Sequence, residues 1–311
     1  MQTLLLIDAH AMIHRAYHAL PDTLRTSDGR PTNAIYGFFL MLTKVIGDFK
    51  PTHIAIAFDT PKATFRKKLY KEYQIKRPPM EGLLKVQIPI IKDLIGKSGV
   101  FQIERPGFEA DDVIGTLSTK FSDSFDRILI LTGDRDLLQL TTDHTFLIAP
   151  KHGVSNFDLF TPDTVLQKYG VTPSHFTDYK ALVGDSSDGY ITAKGIGPKS
   201  AKTLLEIHPT IEKLLDNLDD VENKRWKQIL SDSTETIKLF KKIATIVCDL
   251  DIENSKEELV FEKFDDNLKA GLQDLELYSL IQKVFATSKN NDAPPIKKKV
   301  INKPTDQIGL F

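Results

Sequence analysis

Three short hydrophobic runs in this chain each give way to an aspartate. Thr3-Leu-Leu-Leu-Ile7 leads into Asp8, His53-Ile-Ala-Ile-Ala-Phe58 into Asp59, and Ile128-Leu-Ile-Leu131 into Asp134 and Asp136. Runs of this length, rich in β-branched residues and separated by segments of helical period, predict buried parallel strands. The strands of a parallel sheet all end on one edge, so such aspartates converge where open α/β sheets place their ligands. Acids gathered without basic partners repel one another and favour either protonation or a divalent cation between them. Oxygen donors in that number suit Mg²⁺ or Mn²⁺, and hence phosphate chemistry.

Further acids stand at Glu109-Ala-Asp111-Asp112 and, within Gly184-Asp185-Ser-Ser-Asp188, at Asp185 and Asp188. Taken singly, each has a plain structural role. Glu109, Asp111 and Asp112 open an apolar-periodic segment (Val113, Ile114, Leu117, Phe121) and would satisfy the free amides and dipole of a helix start. Asp185 and Asp188 would serve equally well as a cap and a turn residue. Together, nine acids across five segments, several placed by the same sheet geometry, point to a metal cluster.

Composition sets the remaining bounds. At 311 residues the chain has room for one large α/β domain and a smaller one. A formal net charge of −1 argues against nucleic acid until its distribution is considered. Between Lys62 and Arg77 stand seven basic residues (Lys62, Arg66, Lys67, Lys68, Lys71, Lys76 and Arg77) against Glu72 alone, with Phe65, Tyr70 and Tyr73 interleaved. A solvated helix face has the same makeup. Basic and aromatic side chains in this mixture also neutralise phosphates and stack bases, and a position directly after Asp59 sets them over the acids. Cys248 is the single cysteine, which excludes a disulfide framework or a thiolate zinc site within the chain. No apolar run approaches membrane-spanning length and no basic leader precedes the first run, so the expectation is a soluble, cytoplasmic protein without a membrane partner. His10, His14 and His18, spaced by four beside Asp8, read as an ordinary helix face.

Strand and helix patterns alternate to about residue 170: a strand at 3–7, a helix near 33–48, a strand at 53–58, a helix near 83–97, a strand around 100–103, a helix from 109, and a strand running toward Asp134. Alternation of this kind predicts a mostly parallel sheet with helices on both faces. From about 173 helical periodicity dominates, and 288–306 is a polar, lysine-bearing tail. Within the helical part, Lys194-Gly195-Ile196-Gly197-Pro198-Lys199-Ser200 joins two helices. Its glycines let backbone amides approach a phosphate, Pro198 can start a helix and Lys199 adds charge. Such a helix-hairpin-helix grips duplex DNA without reading its sequence.

These segments carry a specific resemblance. In order, Leu5-Leu6-Ile7-Asp8, Arg15-Ala16-Tyr17-His18-Ala19, Thr32-Asn33-Ala34, Ala57-Phe58-Asp59, Thr64-Phe65-Arg66, Arg77-Pro78-Pro79-Met80, Glu109-Ala110-Asp111-Asp112-Val113-Ile114-Gly115, Thr132-Gly133-Asp134-Arg135-Asp136 and Leu182-Val183-Gly184-Asp185-Ser186-Ser187-Asp188 resemble the 5′-nuclease domain of bacterial DNA polymerase I, within the flap endonuclease family. The resemblance runs from residue 1 to about 285. It implies a PIN-like α/β catalytic domain over 1–172, a helical helix-hairpin-helix DNA-binding region over 173–287, and a tail over 288–311. It places Asp8, Asp59, Glu109, Asp111, Asp112, Asp134, Asp136, Asp185 and Asp188 on metal positions for two or three Mg²⁺ or Mn²⁺ ions. Arg66, Lys76 and Arg77 become the cations expected at the reacting phosphate. Arg15, Lys67, Lys68, Tyr73, Lys194, Gly195, Gly197, Lys199 and Ser200 become the expected DNA contacts. A potassium ion at the hairpin would map near Leu182, Val183, Ile191, Ala193 and Ile196.

Two departures stand out. Gln74 occupies a place where relatives carry a lysine, and Gly189-Tyr190-Ile191-Thr192 replaces their Asn-Ile-Pro-Gly. The expected activity is metal-dependent, structure-specific 5′ cleavage of DNA flaps, nicks and primer ends in replication and repair, by a monomer without an attached polymerase. A catalytically weakened DNA-binding factor and a PIN-type RNase are the alternatives. The final residues, Gln307-Ile308-Gly309-Leu310-Phe311, resemble the peptide that docks into the bacterial sliding clamp. This adds an expected partner through Gln307, Leu310 and Phe311.

Overall fold

A computed structural model of the protein describes residues 1–286 apart from Lys76 and Ile191. The first part of the chain forms β1 (Thr3–Asp8), α1 (Ala9–Ala19), α2 (Asn33–Phe49), β2 (His53–Phe58), α3 (Phe65–Leu69), α4 (Gly82–Lys85), α5 (Gln87–Lys97), β3 (Phe101–Glu104), α6 (Ala110–Lys120), β4 (Arg127–Leu131), β5 (Thr145–Pro150) and β6 (Phe157–Phe160). Among the described residues, helices then follow without further strands: α7 (Pro162–Tyr169), α8 (Phe176–Val183), α9 (Pro198–Ile207), α10 (Ile211–Asp216), α11 (Lys224–Asp232), α12 (Thr234–Ala244), α13 (Asp266–Asp274) and α14 (Tyr278–Ala286).

The strands form one sheet in the order β3-β2-β1-β4-β5-β6, parallel except for β6, which returns antiparallel to β5. Side chains alternate across a strand, and here both faces are covered. Leu4, Leu6, Ala55, Ala57, Ile128 and Ile130 point into a core completed by α6 and by α8 to α12. Leu5, Ile7, Ile54, Ile56, Leu129 and Leu131 point into the opposite core with α1, α2, α5, α13 and α14. This double burial is why the three central strands read as continuous apolar runs rather than as alternating ones. The last two helices therefore pack back against the face opposite to α8–α12. Val260 pairs with His53, and Phe261 N–H donates to the Thr52 carbonyl on the way. Among the described residues no helix is long and apolar enough to cross a membrane.

On the first face the sheet presents alanines at 55 and 57, and Ala110 meets them from α6. Small residues let this helix sit close to β1 and β2. Its other side leaves equally little room at Gly115, where a methyl group would stand 2.5 Å from Ile246 Cγ2 and 3.2 Å from the Val247 carbonyl oxygen. Gly115→Ala should therefore overpack the contact between α6 and residues 246–248 and lower stability by about 1–3 kcal/mol. Urea unfolding measures this, and wild-type stability in the variant would refute the close packing.

Candidate active site at the carboxyl edge of the sheet

The strand order reverses direction between β1 and β4, and the crevice outside such a switch point is where open α/β sheets bind ligands. Neighbouring strands lie only about 4.8 Å apart, so the ends of β2, β1 and β4 bring Asp59, Asp8 and the Thr132–Asp136 turn side by side. Asp8 closes β1 and caps α1. It accepts from Ala11 N–H at 3.0 Å and from the buried Thr132 hydroxyl at 2.8 Å. Thr132 Oγ1 in turn accepts from Asp134 N–H at 3.0 Å, and Asp134 Oδ1 accepts from Asp136 N–H at 2.8 Å. Asp59 accepts from Ala110 N–H at 2.8 Å, which fixes the start of α6 against the end of β2. Glu109 and Asp111 arrive with that helix start.

Crowding these groups out of water raises their proton affinity. Burial first, then Asp59, holds the Asp8 carboxyl up to about 7. Burial likewise pushes Glu109 up to about 7, with Asp112, Asp59 and Asp188 adding to it and Arg66 opposing it. Asp111 is raised well above the usual range by burial and then by Asp134, Asp8, Asp59 and Glu109.

A second group lies beside the first. Asp136, Asp185 and Asp188 each offer an oxygen within 4.8 Å of the others, a spacing that accommodates one divalent ion among hard oxygen donors. Lys180, from α8, reaches into this group, with its ammonium 2.6 Å from Asp136 Oδ1 and bonded to Asp185. Burial and Asp134 push Asp136 up to about 7 against this lysine. At Asp185 the burial penalty is outweighed by Lys180 and by the hydroxyl and amide of Ser187, so its carboxyl stays below the usual value. Arg77 Nη2 donates to Asp188 at 2.7 Å. The Tyr73 hydroxyl spans both groups, 3.2 Å from Glu109 Oε2 and 3.4 Å from Asp188 Oδ2.

Not every expected residue faces this edge. Arg66 is 3 % exposed and binds Asp112 through both terminal nitrogens, at 2.6 and 2.8 Å. It also donates to the carbonyls of Ile243 and Thr245 at the end of α12. Asp112 further accepts from Glu109 N–H and Val247 N–H. Its four acceptor positions are thus filled, and it has none left for a cation. Asp112 and Arg66 form a buried cross-tie between α3, α6 and α12, and Arg66 Nη1 also stands 3.5 Å from Glu109 Oε2. Arg15 is bonded to the carbonyls of Gly153 and Lys151, while Lys67 and Lys68 are exposed on α3. Lys76 lies outside the described residues, as do Ile191, Gln307, Leu310 and Phe311.

At the hairpin, Lys194, Gly195 and Lys199 are exposed, and Gly197 and Ser200 are partly so. Gly195 adopts φ +111°, in the region that favours glycine, and a side chain there would meet Ile229 at 3.0 Å. The Arg225 guanidinium stands beside the same spot, a basic neighbour that lies 30 residues further along the chain. Lys180 and Arg225 carry no sequence signal of their own, because only the packing of α8 and α11 brings them to these places. His10 was legible only as a helix face, yet its Nδ1 lies 3.4 Å from Asp59 Oδ2.

The two departures noted above touch each other. Gln74 N–H donates to the Asp188 carbonyl at 2.9 Å, and a side chain at Gly189 would stand 3.3 Å from the Glu72 carbonyl oxygen. Gln74 has φ +57° and Gly189 φ +83°, so two left-handed turns meet back to back beneath Asp188.

The fold and its paired acidic groups are those of a nuclease. The family model described as 5′-3′ exonuclease, N-terminal resolvase-like domain, matches residues 3–170, and its C-terminal SAM-fold counterpart matches residues 171–267. Among curated proteins, a 5′-3′ exonuclease of Aquifex aeolicus is 40 % identical over 285 residues, covering 91 % of this chain and 96 % of that one. DNA polymerase I of Mycobacterium bovis is 36 % identical over 287 residues, which covers 92 % of this chain but 32 % of the polymerase. Among solved structures, T5 5′-exonuclease with bound zinc superposes with a TM-score of 0.67 at 17 % identity, covering 93 % of this chain and 100 % of that one, a likeness of fold. The same phage's flap endonuclease, solved with DNA and metal ions, gives 0.65 at 16 % identity with the same coverage. The chain belongs to the 5′-3′ exonuclease family.

Two expectations follow from the site geometry. Asp8 and Glu109 rise from ordinary values of 3.8 and 4.5 to about 7 in the folded protein. Their protonation therefore stabilises the metal-free fold fully below about pH 4, and that contribution is lost as the pH rises through about 7. Urea unfolding in EDTA at about pH 5 and about pH 8 should show less loss across this window in Asp8→Asn, which keeps the cap but cannot ionise. An undiminished loss would contradict the crowding of Asp8. Arg66→Met should cost about 3–5 kcal/mol of stability by leaving Asp112 charged and unpaired in the core. Near-wild-type unfolding would show that the cross-tie contributes little.

Proposed function

We propose that the protein is a divalent-metal-dependent, structure-specific 5′ nuclease that removes 5′ flaps and trims 5′ ends at nicks and primers in DNA replication and repair. The observation that carries this reading is the pair of carboxylate groups, Asp8–Asp59–Glu109–Asp111–Asp134 and Asp136–Asp185–Asp188, sharing one sheet edge. Hard oxygen donors under mutual repulsion favour Mg²⁺ or Mn²⁺. Ions held by these carboxylates would supply charge neutralisation at the scissile phosphate and would lower the pKa of a water poised to attack it. The chain's own groups do the rest. Thr132 and the start of α6 hold the carboxylates in place, and half-exposed Arg77 lies where it can meet a phosphate. Lys67 and Lys68, with Lys194, Lys199 and Arg225 around the glycine hairpin, supply exposed positive charge for backbone phosphates. The bond broken is the one that leaves a 5′ phosphate on the product, and no covalent enzyme intermediate is needed. Structures of related fold solved with DNA and metal ions support the same reading.

Asp112 and Arg66 take structural roles in this proposal, on the strength of the bonds they already make. Docking of Gln307, Leu310 and Phe311 to the sliding clamp, a potassium ion at the hairpin, a monomeric state and a cytoplasmic location stand as proposals from the sequence. One observation favours a weakened enzyme, namely the Lys180 ammonium within the second acidic group. A single assay separates the possibilities: cleavage of 5′-flap DNA and of single-stranded RNA in Mg²⁺ and in EDTA. The expected result is Mg²⁺-dependent flap cleavage that falls in Asp134→Ala by on the order of a thousandfold, the size of losing several kcal/mol of transition-state stabilisation. Flap binding should persist in that variant. Faster cutting of the RNA would favour an RNase, and binding without cutting a structural factor.

A further inference from the structure

Tyr190 is a large side chain in an unusual position for a phenol. It is 1 % exposed, and its hydroxyl has no hydrogen-bond partner among the described residues. Its ring stacks on Phe240 of α12 with centroids 4.3 Å apart and planes 13° from parallel. Its backbone pairs with Asp185 in both directions, Asp185 N–H to the Tyr190 carbonyl and Tyr190 N–H to the Asp185 carbonyl, each at 2.9 Å. The residue therefore clamps both ends of the turn that displays Asp185 and Asp188.

Stacking and clamping explain the ring and the backbone but leave the hydroxyl without a role. Phenylalanine would stack equally well without burying an unpaired polar group. Burial, and then the charges of Asp136, Asp185, Asp188 and Asp134, raise the pKa of that hydroxyl. Asp136 Oδ1 is met by the Lys180 ammonium at 2.6 Å. A buried, unpartnered hydroxyl beside this carboxylate trio points to a partner that the described residues do not supply.

We propose that Tyr190 is a positioning residue for a divalent ion in the Asp136–Asp185–Asp188 group, its hydroxyl donating into that group once the ion takes the place Lys180 holds in the protein alone. Groups that hydrogen-bond metal-ligating carboxylates orient them, and their loss usually weakens metal affinity by about 10–100-fold. This inference rests on the metal-site reading above, and the two can fail separately.

Mn²⁺ titration followed by the paramagnetic resonance of the free ion tests it, on wild type, Tyr190→Phe and Asp188→Ala, with thermal unfolding of each in EDTA. Asp188→Ala identifies which binding step belongs to the trio. In Tyr190→Phe that step should weaken by about tenfold or more while the other is unchanged, with metal-free melting no lower than wild type. Wild-type Mn²⁺ affinity in Tyr190→Phe would overturn the role of the hydroxyl and leave the metal site standing. A wild-type protein that binds no Mn²⁺ would overturn the metal reading itself, and this inference with it.

Discussion

The constraint on which the rest of the structure depends is the crowding of carboxylates at the end of a parallel sheet. The sheet order sets Asp59, Asp8 and the Thr132–Asp136 turn at the ends of three adjacent strands, and the helix start at Glu109 adds more negative charge. Nearly every polar feature nearby answers that repulsion. Thr132 and the amides of Ala11 and Ala110 bond individual oxygens, Lys180 and Arg77 neutralise the second group, and burial with mutual repulsion raises the proton affinity of Asp8 and Asp136. The edge is held in readiness for cations, at a cost in stability that the two large cores offset.

The Arg66–Asp112 cross-tie shows how the site is joined to the helical region. One guanidinium binds a carboxylate of α6 and two carbonyls at the end of α12, so the position of α12 is tied to the helix start that presents Glu109 and Asp111. Phe240 of the same α12 carries Tyr190, and α8 carries Lys180. The helical region thus contributes directly to the acidic edge rather than standing beside it. The adjacent left-handed turns at Gln74 and Gly189 extend the same connection. A change in one turn alters the surface on which the other rests, which gives a physical reason for two departures far apart in sequence to occur together.

Much of the fold was legible because double burial leaves a strong mark. The runs at 3–7 and 53–58 match β1 and β2, and the acidic helix begins at Ala110, one residue after its Glu109 cap. The third run stops at Leu131, three residues before Asp134: Thr132 N–H still donates to the Ile148 carbonyl of β5, but beyond it the amides of Asp134 and Asp136 turn inward to Thr132 Oγ1 and Asp134 Oδ1. The strands β5 and β6 were harder to see. β5 ends in a proline and β6 is a four-residue edge strand with an exposed Leu159, so neither shows a clean period. The return of α13 and α14 to the opposite face was also invisible, since amphipathic helices do not state which surface they cover.

The sequence by itself determined that acids would gather on one edge, because strand direction and side-chain period are local properties of the chain. It also determined that a glycine hairpin with exposed lysines would sit in a helical region, since φ above zero and helix starts are written in residue type. Only the tertiary structure decided how the acids divide. Asp112 looks like its neighbours in sequence, yet four hydrogen bonds consume it, while Lys180, unremarked in its helix, becomes the counter-charge of Asp136 and Asp185. The reason is that lone pairs and charges are assigned by what packs against them, and those partners come from segments that are distant along the chain.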